Sequence, residues 1–263
     1  MGESVERGAY YVQSLERGLA VVRAFSADTP ALTLTDVAKA TGLTRAAARR
    51  FLLTLVDLGY VRTDGKLFSL TARVLELGYA FLSSMSLPEI AQPHLERLSG
   101  EVGESTSASV LDGADVVYVA RFAVSRIMAV SITVGTRFPA YATSMGHVLL
   151  AGLSAGELER YLGSVRLEPL TSHTITSVER LRDELDGVRA QGWALVDQEL
   201  EEGLRSVAAP VRDRSGRVVA AVNVSTHASR TTVDRMREET VPRLLATCAA
   251  IEQDLAADPR PRV

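Results

Sequence analysis

Between Thr33 and Leu70 the chain sets two short amphipathic patterns on either side of a glycine and follows them at once with a hairpin signal. Thr33-Leu34-Thr35-Asp36-Val37-Ala38-Lys39-Ala40-Thr41 carries Leu34, Val37 and Ala38 on one helical face and stops at Gly42. Thr44 then caps a longer helix reaching Leu58, with Ala48, Leu52 and Leu55 as its inward stripe and Gly59 as its stop. Tyr60 to Leu70 reads as two short strands around Asp64-Gly65. Few folds accept that order in so short a span. It predicts a helix-turn-helix, about 34–52, with a wing over 60–70. Ahead of it, Ser14 is a candidate N-cap for a first helix whose expected stripe is Leu15, Leu19, Val22 and Phe25, and Pro30 interrupts the pattern.

Charge gives this segment a direction. The net charge of the chain is −3, which excludes a protein basic over its whole surface. Residues 1–80 nevertheless carry ten basic and eight acidic side chains, which leaves −5 for the rest. Arg45, Arg49 and Arg50 cluster with no acid between Asp36 and Asp57. Arg45 and Arg49 are four apart and project from one helical face, while Ala46 and Ala47 are small enough to let the backbone approach a groove. Arginine forks to guanine or to phosphate, and a solvated basic face is the bland alternative. The wing that follows favours the nucleic-acid reading. Thr44, Arg45, Ala46, Arg49 and Arg50, with Arg62 and Lys66 of the hairpin, are the candidate contacts to double-stranded DNA.

Thr71 to Leu82 reads as a further capped helix, with Leu75, Tyr79 and Leu82 on one side and Leu77 and Phe81 nearby. A connector this apolar needs a partner, and the two-fold symmetry of most sites read by such motifs points to a second subunit. Ser83 to Pro88 breaks the pattern. Beyond it come a helix near 89–103, strands near 105–111, 115–122 and 126–134, and helices near 144–151, 154–162 and 177–191. Strands near 193–199, 205–212 and 217–225 and a closing helix at 232–257 complete the order. Mixed order with hairpin turns at Asp112-Gly113-Ala114-Asp115 and Asp213-Arg214-Ser215-Gly216 predicts an α+β domain on an antiparallel sheet.

That second domain shows no glycine-rich phosphate loop, metal-spaced His or Cys pair, or serine elbow, so neither metal nor cofactor is called for. The one cysteine, Cys248, lies in an apolar helical pattern and reads as a small core residue, which excludes an internal disulfide. No apolar run is long enough for a membrane span, and the charged start is unlike a signal peptide, so a cytoplasmic location is expected. An enzyme using Ser144 with His147 as base is the remote alternative, because two residues three apart do not make a triad. A sensor fits better. The hydroxyls of Tyr141, Thr143 and Ser144 precede a helix start that could receive a carboxylate, or Thr143 or Ser144 simply caps that helix. The segment Asp197 to Ser206, with Glu199 and Arg205, is either a solvated loop or part of a site. Asn223 and Ser225 face one way on an otherwise apolar strand and are costly there without partners.

These motifs together resemble the IclR family of transcription regulators. The resemblance rests on Ser14-Leu15-Glu16-Arg17-Gly18-Leu19, Leu43-Thr44-Arg45, Gly59-Tyr60-Val61, Gly78-Tyr79, Thr143-Ser144-Met145-Gly146, and Asp197-x-Glu199 with Gly203-Leu204-Arg205-Ser206. It runs from about residue 11 to 256. It implies a winged helix-turn-helix domain (11–72), a linker helix (73–86) and a GAF-like effector domain (87–257), assembled as a homodimer or dimer of dimers on operator DNA. It also implies an effector pocket formed by Tyr141, Thr143, Ser144, Met145, Gly146, Asp197, Glu199, Arg205, Ser206, Asn223 and Ser225. Residues 135–146 and 197–206 are most similar to the branch that controls aromatic breakdown through the β-ketoadipate pathway, which implies protocatechuate, 4-hydroxybenzoate or β-ketoadipate as the small acidic effector. Control of another carbon-source or secondary-metabolite pathway is the alternative. His147 stands where that branch is expected to carry arginine: either the position helps to hold the carboxylate or it points to solvent.

Overall fold

The computed structural model describes residues 8, 10–26, 28–78, 86–124 and 132–258. The chain divides after residue 81 into two compact units. In the first, α1 (Gln13–Arg23), α2 (Leu34–Thr41) and α3 (Arg45–Asp57) pack around Val21, Phe25, Val37, Ala38, Ala48 and Leu52. Thr33 begins α2 with a capping box: its hydroxyl accepts from the Asp36 N–H while the Asp36 carboxylate accepts from the Thr33 N–H. Gly42 ends it in the left-handed conformation that glycine adopts without strain, and Thr44 caps α3 two residues later. The turn between the helices is therefore set by side chains present in the sequence.

β2 (Val61–Thr63) and β3 (Leu67–Leu70) form the hairpin, and Asp64 Oδ1 accepts from the N–H groups of Lys66 and Leu67 to hold its turn. A third strand, β1 (Ala31–Thr33), pairs antiparallel with β3 and was not singled out from sequence; three residues after Pro30 are too few to show a period. The first helix also differs from expectation. Val12, not Ser14, is its N-cap, and Val21 and Phe25 face the core while Leu15 and Leu19 are exposed. Phe51 packs over Gly18, so the buried face lies one residue round from the stripe read by spacing.

After β3, Thr71 donates to the Gly59 carbonyl at 2.6 Å and Arg73 to the Leu58 carbonyl at 3.0 Å. Ala72–Val74 is a 3₁₀ turn, residues 75–78 are helical, and the remaining positions of the expected connector, 79–85, lie outside the described residues.

The second unit is a six-stranded antiparallel sheet in the order β6-β5-β4-β9-β8-β7. Its strands are β4 (Ser105–Asp112), β5 (Asp115–Phe122), β6 (Arg137–Pro139), β7 (Ala194–Asp197), β8 (Leu204–Arg212) and β9 (Val218–His227). On one face, α4 (Ser86–Val102) and the closing helix α8 (Val241–Ala257) cover Ala108, Val207, Val222 and Val224. On the other, α5 (Ser144–Ala151), α6 (Ala155–Ser164) and α7 (Val178–Gln191) cover Val116, Tyr118, Ala194, Ala208 and Ala221. Pro88 lies in the first turn of α4 rather than before it, where a missing N–H costs nothing. The strand expected near 126–134 falls largely outside the described residues; 132–136 holds a turn, and the edge strand is β6. Cys248 is a buried core residue with its Sγ 3.7 Å from the Ala209 carbonyl.

Candidate functional site

On the first unit the inward stripe of α3 turns its opposite face to water. Thr44, Arg45, Ala46, Arg49 and Arg50 are all exposed, as are Arg62 and Lys66 of the hairpin. Among the described residues none of these five cations forms an ion pair. Arg45 and Arg49 line a groove of 490 Å³ with Lys66, Thr63, Thr33 and Thr35; Arg50 and Arg62 do not line it. Thr33 and Thr35, at the start of α2, belong to this surface and were not singled out from sequence. Cations left unpaired in water can exchange counterions for phosphates, and α3, the second helix of the helix-turn-helix, has the position and exposed arginines that a recognition helix needs.

On the second unit the face under α5 is divided. Towards α6 and α7 it is apolar, but at the other end the register sets Ser107, Arg121 and Asn223 side by side across β5, β4 and β9. Beside them run Ser105, Ser225 and Ser206 across β4, β9 and β8. Ser144, the first residue of α5, reaches this strip, its Oγ 2.8 Å from that of Ser206. Asn223 donates to Ser225 Oγ at 2.9 Å and leaves its Oδ1 without a partner. Arg121 donates from Nη1 to Ser107 Oγ at 3.0 Å, while its buried Nε has no partner. Burial holds its guanidinium below the ordinary value, and among the described residues no carboxylate pairs with it. Burial likewise pushes the neighbouring Tyr118 phenol up to about 12. A cavity of 690 Å³ opens here, lined by Arg121, Ser105 and Ser225, by the apolar side chains of Ile132, Phe138, Leu200 and Leu204, and also by the exposed Glu201 and Glu202 and the Glu104–Arg230 ion pair.

Of the eleven residues expected to form a pocket, Ser225 lines this cavity, and Ser144, Ser206 and Asn223 belong to the polar strip beside it. The others are engaged elsewhere. The Tyr141 hydroxyl donates to the Glu168 carbonyl and accepts from the Glu168 N–H. Thr143 caps α5 through the Gly146 N–H, which settles the capping alternative in its favour over Ser144. Met145 is wholly buried in the apolar half. A Cβ on Gly146 would lie 1.9 Å from the Ala140 carbonyl oxygen, so this glycine permits a close backbone approach.

Asp197 and Arg205 form a bidentate pair at 2.8 Å, and the guanidinium holds the carboxyl below its usual range. Glu199 accepts from the Ile175 N–H at 3.3 Å, and burial pushes its carboxyl up to about 7.

His147 meets neither expectation. It is completely buried, its Nε2 donates to the Tyr141 carbonyl at 2.7 Å, and burial pushes it down to about 4. A neutral imidazole held this way neither faces solvent nor presents a positive charge to a carboxylate. It is also bonded away from Ser144, which leaves the nucleophile reading without geometry.

Sequence reading missed Arg121, Ser105 and Ser107. The signal was there: Ser105, Ser107 and Ser109 recur at every second position of β4, the argument that had marked Asn223 and Ser225.

A recognition helix and wing on the same chain as a sheet domain with an internal cavity define a transcription regulator of the helix-turn-helix class. Sequence profiles of the IclR helix-turn-helix domain and of the bacterial transcriptional regulator IclR C-terminal domain match residues 14–65 and 79–253. The chain belongs to the IclR family: it is a DNA-binding regulator of transcription, not an enzyme. The Pca regulon regulatory protein of Pseudomonas putida is 47% identical over 237 residues, 90% of this chain and 81% of that protein. A transcriptional regulator of Rhodococcus sp. RHA1 of known structure superposes with a TM-score of 0.84 at 60% identity, covering 94% of this chain and 99% of that one. An IclR homolog from Microbacterium hydrocarbonoxydans, solved in complex with 4-hydroxybenzoate, gives a TM-score of 0.82 at 27% identity over 93% of this chain and all of that one. Among the described residues no helix is long and apolar enough to cross a membrane.

Proposed function

We propose that this regulator works in the cytoplasm and that its operator binding responds to a small aromatic or dicarboxylic acid, placing it in control of aromatic catabolism through the β-ketoadipate pathway. The observation that carries the reading is Arg121, a half-buried guanidinium with an unsatisfied Nε and no acidic partner among the described residues, on the wall of a cavity that sets four apolar side chains beside it and whose glutamates are either exposed or, in Glu104, paired with Arg230. A carboxylate supplies the missing acceptor and the compensating charge, and a ring fills the space between Ile132, Phe138, Leu200 and Leu204. The serines and Asn223 beside Arg121 offer hydrogen bonds to further oxygens. Likeness to a Pca regulon regulator and to a homolog holding 4-hydroxybenzoate supports the same ligand class.

The domain roles follow: residues 11–72 read the operator, 73–86 transmit, and 87–257 sense. Self-association as a dimer or dimer of dimers is supported by the exposed apolar side chains of α1, Leu15 and Leu19, and by Leu75 and Leu77 beyond the wing. Effector and operator are then coupled as two sites on one equilibrium.

Thermal unfolding with 4-hydroxybenzoate, protocatechuate and β-ketoadipate tests the proposal. One of these is expected to raise Tm in a concentration-dependent way, and Arg121→Gln is expected to weaken that ligand by on the order of tenfold or more. An Arg121→Gln chain stabilised as strongly as the parent would overturn it.

A further inference from the structure

The second unit holds another cavity on the opposite face of its sheet, under the C-terminal end of α4 and the start of α8. Its volume is 470 Å³. Val224 of β9 lies on its floor and belongs to the core covered by α4 and α8. Thr226, two residues on, shares that strand face and also lines the cavity. Its side chain is 5% exposed and its Oγ1 has no hydrogen-bond partner. A buried hydroxyl left in that state is destabilising unless something occupies the space in front of it. One wall is the π-helical turn Met236–Thr240, a distortion of the helical ladder found preferentially at functional sites.

The charges around the cavity select the ligand. Arg230 pairs with Glu104 at 3.2 Å and Arg235 with Glu239 at 3.0 Å, so these four neutralise one another. Two remain. Arg243 donates from Nη1 to the Glu239 carbonyl and has no carboxylate partner among the described residues. Glu101 forms no ion pair among them either. A simple anion would meet Arg243 and leave Glu101 uncompensated, and a simple cation would do the reverse. A molecule carrying both charges satisfies both.

We propose that this cavity is a second ligand site and that it takes a small zwitterion of the α-amino-acid type, its carboxylate on Arg243, its ammonium towards Glu101 and a polar atom on Thr226 Oγ1. The cavity meets that of Arg121 at Glu104, Thr226 and Arg230, but Arg243, Glu101 and the π-helical turn line only this one, and Arg121 lines only the other. Substitutions at Arg243 and at Arg121 therefore tell the two sites apart.

The test is thermal unfolding of the full chain with L-alanine, L-serine and L-aspartate, with propionate and ethylamine as singly charged controls. At least one amino acid is expected to raise Tm with concentration while neither control does. Arg243→Gln is expected to weaken the responding amino acid on the order of tenfold or more and to leave any response to 4-hydroxybenzoate intact. Thr226→Val removes the orphan hydroxyl at nearly constant volume. It is expected to raise Tm of the ligand-free chain while cutting the response to the amino acid, a combination that a merely structural threonine does not produce. The proposal is overturned if no amino acid shifts Tm, if the controls shift it equally, if the response survives Arg243→Gln unchanged, or if it disappears in Arg121→Gln.

Discussion

The two units of this regulator treat polar groups in opposite ways. On the first, Arg45, Arg49, Arg50, Arg62 and Lys66 stand in water without ion-pair partners, on a scaffold whose polar groups serve mainly to cap helices and close a turn. On the second, Ser144, His147, Glu199, Arg205, Ser206 and Asn223 are buried, and nearly every one is bonded to a neighbour. The difference follows from the partners. DNA is bound by exchanging its counterions for protein cations, which must be free and solvated beforehand. A small molecule is bound by groups already desolvated and held in place, which is the arrangement the proposed effector site has.

That comparison can be broken at several points. The largest effect is expected from Gly146→Ala, whose Cβ meets a backbone oxygen that no rotamer change can move; urea unfolding should show a loss of about 4 kcal/mol, or no folded protein. A loss below about 1 kcal/mol would mean that the approach of α5 to the preceding 3₁₀ turn is soft.

Next comes the pair Arg45→Ala/Arg49→Ala. Stability should stay within about 0.5 kcal/mol while operator affinity falls about a hundredfold at physiological salt, with a shallower salt slope. Unchanged affinity in a mobility-shift titration would remove both residues from the operator surface.

His147 sharpens the contrast by pH. Its folded value lies near 4, below its ordinary 6.5, so the unfolded chain takes up the proton first and the stability held by neutral His147 is present above about pH 6.5 and lost as pH falls towards 4. Between pH 7.5 and 5 the loss is about 2 kcal/mol, and a His147→Gln chain should lack that part of the pH slope.

Glu199 runs the other way. Its value is raised to about 7 from 4.5, so its contribution is full below pH 4.5 and disappears as pH rises through 7. Glu199→Gln is expected to stabilise the chain by about 1.5 kcal/mol at pH 7 relative to its effect at pH 5.5, as read from paired denaturation curves. Smallest is Thr44→Ala, which removes the cap of α3 and should cost about 1 kcal/mol by thermal unfolding.

The same contrast explains what could be read in advance. Helix starts at Thr33 and Thr44, the stop at Gly42 and the turn at Asp64-Gly65 are decided by contacts within a few residues, so the recognition helix and wing were legible. The exposed arginines of α3 were legible too, because a face opposite a clear apolar stripe is solvated. In the second unit most elements were readable from period and turn chemistry, but not the roles of their side chains. Glu199 and Tyr141 look like pocket residues in a list, and each is used up by a backbone group at least 24 positions away. Arg121 looks like an ordinary charge within a strand, until the register lays it beside Ser107 and Asn223.

By itself, then, the sequence determined the order of elements, the winged helix-turn-helix, the free cations of α3 and the family, because each depends on local periodicity, capping and turn residues. Only the tertiary structure decided that α1 buries Val21 rather than Leu19, that His147 is neutral and bonded to a carbonyl, and that a guanidinium with an unsatisfied Nε lines a cavity. Those outcomes depend on which strands lie side by side and which polar atoms are removed from water. That is a sum over contacts distant in the chain, and no window of sequence contains it.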